Sequence, residues 1–106
     1  MDIGFALGCL SKISKSEIHS TDHFLMRFNQ RKNDMVPDVD YIHSRIINDN
    51  PVEISKQDDT KFKLKYELND KYDMTIVISI NNHNSISFNL ITYMIQNSNT
   101  RKREEI

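Results

Sequence analysis

The chain has 106 residues, 38% of them apolar, and a formal net charge of −1. That length supports one small core, and the near-zero charge excludes the strongly basic balance that marks many nucleic-acid binders. Cys9 stands alone, so an intramolecular disulfide and a cysteine metal cluster are excluded. The apolar run 3–10 lacks a basic leader and is too short to span a bilayer, so a cytoplasmic protein is expected, with no membrane partner.

In chain order, Phe5, Ala6, Cys9, Leu10 and Ile13 stand at helical spacing, so residues 1–18 form either a short helix or an arm that packs on a partner. Residues 14–20 are polar and read as a connection. Ser20 or Thr21 caps a helix over about 21–32, and Asp22 favours its first turn through the dipole. Phe24, Leu25 and Phe28 are its expected core face. Pro37 suits the first position of a second helix, with Asp38 and Asp40 at its positive end, and Val39, Ile42, Ile46 and Ile47 as its apolar face. Asn48, Asp49, Asn50 and Pro51 end it.

From Val52 the hydrophobic period changes to two. Val52 and Ile54 begin a short strand. Phe62, Leu64, Tyr66 and Leu68 alternate with Lys61, Lys63, Lys65 and Glu67 in a second. Met74, Ile76, Ile78 and Ile80 make a third. Ile86, Phe88 and Leu90 start a fourth that runs on through Thr92, Tyr93 and Met94. The short links predict an antiparallel meander. Helices followed by strands predict an α+β domain over 1–96, with two or three N-terminal helices on one face of a four-stranded antiparallel sheet. Residues 97–106 read as a polar, flexible tail.

Chemistry concentrates on the first full helix. His23, Arg27 and Arg31 fall at i, i+4 and i+8, on one stripe. Imidazole suits proton transfer near neutral pH, and guanidinium suits bidentate phosphate recognition. RNA cleavage through the 2′-hydroxyl needs a base, an acid and positive charge on the phosphate. The plainer account is a solvated helix face. Lys61, Lys63 and Lys65 form a ladder that either tracks phosphates or protects a strand edge. Tyr66 is among the inward residues of that strand but can offer its hydroxyl at the sheet's end, and Thr92 lies on the last strand. His19 precedes the helix of His23, and no acidic or thiol ligand follows at suitable spacing, so no metal site is expected. His43 and His83 read as surface residues. Glu53 and Glu67 lack an identifiable catalytic partner. Arg101, Lys102 and Arg103 are offset by Glu104 and Glu105. No phosphate loop or nucleophile elbow is present, and no cofactor is expected.

A His-x-x-x-Arg-x-x-x-Arg helix, a second short helix led by acidic residues, and a meander ending in Thr92-Tyr93 resemble the proteins of domain of unknown function 4258. That group is similar to RelE-like toxins and, more distantly, to the barnase, EndoU and colicin type of ribonuclease fold. The resemblance covers about residues 19–95. It implies metal-independent RNA cleavage, with His23 as acid or base and Arg27 and Arg31 on the phosphate, and an antitoxin or immunity protein as inhibitory partner. Lys61, Lys63, Lys65, Tyr66 and Thr92 are the candidate RNA contacts. The rival expectation is a non-enzymatic interaction module, acting through its sheet edge or N-terminal arm as a homodimer or on a protein partner.

Overall fold

The computed structural model describes residues 1–31, 34–82 and 85–100. Helix α1 spans Ile3–Leu10, α2 Asp22–Arg31 and α3 Val39–Asn48. Strands are β1 Ile18–Ser20, β2 Glu53–Lys56, β3 Lys61–Glu67, β4 Tyr72–Asn81 and β5 Ser87–Asn97. The sheet order is β1-β5-β4-β3-β2. The α+β layout and the antiparallel run β2 to β5 match the reading from sequence. The sheet has a fifth strand, however. β1 pairs parallel to β5, with Ile18, His19 and Ser20 opposite Phe88, Asn89 and Leu90, so the sheet is mixed. Three residues are too few to show a period, which is why residues 14–20 read as a connection.

Local chemistry sets the helix starts. Asp2 accepts a hydrogen bond from the Phe5 amide at 2.7 Å, and Thr21 Oγ1 accepts one from the Phe24 amide at 3.0 Å. Asp38 caps α3 by accepting from the Tyr41 amide at 2.8 Å, so Pro37 sits just outside the helix it was expected to open. The side-chain cap satisfies an orphan donor, whereas proline only removes one. In the β3–β4 turn, Asn69 Oδ1 accepts from the amides of Lys71 and Tyr72 at 2.8 and 2.9 Å.

One face of the sheet carries the core. Phe62, Leu64, Tyr66, Met74, Ile76, Ile78, Ile80, Phe88, Leu90 and Tyr93 pack with Ala6, Leu10, Phe24, Phe28, Ile42 and Ile46 from the helices. Phe28 stands edge-on to Tyr93 at 5.0 Å between ring centroids. Burying a side chain such as Phe28 contributes about 1.5–3 kcal/mol. Leu25, expected inside, is 37% exposed, because α2 turns only the Phe24–Phe28 line inward. β5 reaches Asn97, and Ser98 is tied down beyond it: its amide donates to the Lys71 carbonyl at 2.7 Å and its hydroxyl to the Asp70 carbonyl at 3.0 Å.

Arg45 fastens α3 to the sheet. Its guanidinium donates to Tyr41 Oη and to the Glu67 carbonyl, both at 2.8 Å, pairs with Asp49, and lies 5.6 Å from the Tyr66 ring centroid. Removing it leaves the Glu67 carbonyl and the Tyr41 hydroxyl without this donor. Arg45→Ala is expected to cost about 2–3 kcal/mol in urea unfolding, and Arg45→Lys to recover less than half of that, since an ammonium cannot serve both acceptors with one planar fork.

His43 on α3 is half-buried, not a plain surface residue, and neither ring nitrogen has a hydrogen-bond partner among the described residues. Desolvation holds its pKa below the ordinary 6.5, the Asp40 carboxylate pulls it up, and Lys15 pushes it down. The neutral imidazole is therefore the folded form. The unfolded chain takes up this proton first as pH falls below 6.5, so stability is full above that value and declines beneath it. Urea midpoints at pH 8, 6.5 and 5.5 are expected to fall in that order, and His43→Gln to flatten the series.

Candidate functional site

β1 occupies the free edge of β5 only as far as Leu90. There the chain turns into α2, which continues along the same strand. Thr21 joins the two: its hydroxyl caps α2 and also donates to the Leu90 carbonyl at 3.3 Å. At the other end of α2, Arg31 Nη1 donates to the Tyr93 carbonyl at 3.1 Å. Side chains thus take over the backbone acceptors that a longer β1 would have paired.

Between helix and strand lies a cleft of about 210 Å³, lined by His23, Arg27, Arg31, Ile91, Thr92 and Met94. The stripe expected from spacing is real, and its three members meet Thr92 in one concavity. No carboxylate is among the six lining residues. The side chains of His23 and Arg27 make no hydrogen bond or ion pair among the described residues. Arg31 serves the Tyr93 carbonyl with one nitrogen and keeps other N–H groups for a ligand. Such a site can hold a phosphate by charge-assisted hydrogen bonds and present an imidazole to it.

A β-bulge shapes the strand wall. Val77 pairs with Thr92 and Ile78 with Leu90, leaving Ile91 as the extra residue. The insertion shifts the alternation by one. Phe88 and Leu90 face the core before it, and Tyr93 does so after it, which puts Thr92 on the opposite face toward the cleft. Sequence reasoning missed Ile91 and Met94 as lining residues. The change of phase from 88 and 90 to 93 was the available signal.

The lysine ladder does not join the cleft. Lys63 stands in a cross-strand row with Val77 and Thr92, two strands away, or roughly 10 Å at normal strand spacing. It is half-buried. Lys61 is exposed and lies 3.8 Å from Asp58. Lys65 is 2% exposed and faces Glu53 at 4.0 Å, so it is not available to a phosphate. Glu53, expected to lack a partner, is its register partner. Tyr66 also departs from expectation. It is fully buried in the core, its hydroxyl has no hydrogen-bond partner among the described residues, and burial raises its pKa strongly. Tyr93 is likewise buried, its pKa pushed up to about 12 by desolvation and then by Tyr41. His19 lies on β1 and is exposed, apart from the helix of His23. His83 and Arg101, Lys102 and Arg103 lie outside the described residues.

Lys65 is therefore structural. Lys65→Ala leaves the buried Glu53 carboxylate without its register partner and is expected to lower stability by about 2–3 kcal/mol, measured by urea unfolding. Lys63→Ala is expected to stay within about 0.5 kcal/mol.

The MJ0788 family model matches residues 5–78. The match runs from α1 into β4, takes in His23, Arg27 and Arg31, and ends before Thr92. No curated protein and no solved structure matches the chain significantly. With the model covering more than half of its length, the chain belongs to the MJ0788 family.

Proposed function

We propose that the cleft between α2 and β5 binds the phosphate backbone of RNA, and that the protein is a metal-independent, toxin-like ribonuclease of the cytoplasm checked by an antitoxin or immunity partner. The observation that supports this is the meeting of His23, Arg27, Arg31 and Thr92 in one cleft with no carboxylate among its lining residues. The resemblance of the His-x-x-x-Arg-x-x-x-Arg helix to domain of unknown function 4258 and RelE-like toxins, which rests on the same residues, motivates the ribonuclease reading.

In this reading Arg27 and Arg31 hold the non-bridging oxygens of one phosphate, and Thr92 adds a hydroxyl donor. The ribose 2′-oxygen attacks phosphorus, and the bond to the 5′-oxygen breaks, giving a 2′,3′-cyclic phosphate and a 5′-hydroxyl. His23 takes the 2′ proton and returns it to the departing 5′-oxygen, so one imidazole serves both steps and emerges unchanged. The arginines neutralise the charge that builds on the pentavalent phosphorus.

The test is incubation with single-stranded RNA in EDTA, with binding followed over a salt series. Wild type is expected to yield cyclic-phosphate ends. His23→Ala is expected to cut at least about 100-fold more slowly with affinity kept within a few-fold. Arg27→Ala is expected to weaken binding and to reduce the salt slope by about 0.7. Cleavage that His23→Ala leaves untouched would remove His23 from the chemistry. A wild type that neither cuts RNA nor binds it in a salt-dependent way would end the proposal.

A further inference from the structure

Helix α1 is apolar on every side. Ala6, Cys9 and Leu10 face inward, yet Ile3, Phe5 and Leu7 remain 39%, 38% and 43% exposed. No charged residue falls between Asp2 and Lys12. A helix hydrophobic all round is ordinarily buried. The apolar surface also extends past the helix. Leu7 shares a groove with Pro51, Ile54 and the 44% exposed Val52, rimmed by Asn50, Glu53 and Ser55, while Phe5, Gly8, Cys9, Ile13 and Ile86 line a hollow of about 370 Å³ on the other flank, with Lys12 and Glu17 at its edge.

We propose that a second copy of this chain covers the face, with α1 packed antiparallel on α1 about a two-fold axis. Charge just outside the two ends of the helix, Asp2 at its N-cap and Lys12 in the turn after its C-cap Ser11, selects this occupant and this direction. The antiparallel register that sets Leu7 against Gly8 of the other copy also brings Asp2 beside Lys12 of that copy, at both ends of the pair. A parallel pairing sets Asp2 against Asp2. Two-fold symmetry makes each contact reciprocal: Leu7 enters the notch at Gly8, and Gly8 receives Leu7 in return. The notch is open in the single chain, since a Cβ built on Gly8 meets nothing within 4 Å beyond its chain neighbours and its own helix backbone. α1 contributes no residue to the His23 cleft, so pairing and RNA binding are separate properties.

The experiment is sedimentation equilibrium of the full chain between about 5 and 200 μM, at low and high salt, with circular dichroism in parallel. A dimer is expected with a Kd of about 10 μM, in keeping with a small interface. It should weaken as salt rises. Gly8→Ala fits the single chain and favours the helix, so it should raise the melting temperature of the monomer while loosening the dimer several-fold. Gly8→Leu should loosen it at least 10-fold. Lys12→Glu, and Asp2→Asn, which keeps a helix cap, should each loosen it with helicity retained. A chain that stays monomeric at 200 μM, or a dimer indifferent to these substitutions, would overturn the proposal.

Discussion

The outer edge of β5 is the constraint on which the cleft depends. One side of this strand pairs with β4 from Ser87 to Asn97, apart from the bulge at Ile91. The other is paired with β1 only from Phe88 to Leu90. An open strand edge carries backbone groups that need partners and invites pairing with other chains. Here the segment that leaves β1 closes the edge from the side. Thr21 takes the Leu90 carbonyl, and Arg31 takes that of Tyr93. The strand ends early, and a helix with two polar anchors replaces it. The gap between helix and strand follows from that substitution, because a helix cannot lie as close to β5 as a strand would.

The bulge at Ile91 then decides what the gap contains. Without it, the alternation set by Phe88 and Leu90 would send Thr92 into the core and Tyr93 out of it. With it, Tyr93 meets Phe28 inside, and Thr92 and Met94 face the cleft. One inserted residue therefore serves packing and site together. It lets an aromatic ring anchor α2 while a hydroxyl stands beside the guanidiniums that the same helix carries.

Much of this was legible in the chain. The period of two fixed β3 and β4, because these strands bury one face and show the alternation plainly. The i, i+4, i+8 spacing fixed the stripe on α2. What escaped had a physical reason in each case. β1 is three residues long and joins the sheet through a non-local parallel pairing. Lys65 reads as surface by type and is buried by its place opposite Glu53. His43 reads as a surface residue by type but turns its nitrogens away from water. Tyr66 stands near the end of β3, but its ring lies under Arg45 from α3 and is fully buried, so its hydroxyl is not offered at the sheet's end. Each miss concerns partners distant in sequence, which periodicity does not encode.

A net charge of −1 is compatible with a positive cleft, because the pairing of charges matters more than their sum. The ion pairs found among the described residues join Lys15 to Asp40, Arg45 to Asp49, Lys56 to Asp59, Lys61 to Asp58 and Lys65 to Glu53. None involves the cleft. These pairs place cations and anions side by side elsewhere on the molecule, so they cancel locally and add little field at a distance. No carboxylate is among the residues that line the cleft with His23, Arg27 and Arg31. An approaching polyanion therefore meets a local excess of positive charge that the overall composition conceals. A basic total is one route to phosphate recognition; a cleft lined by two arginines and no carboxylate is another, and the proposed RNA binding rests on the second.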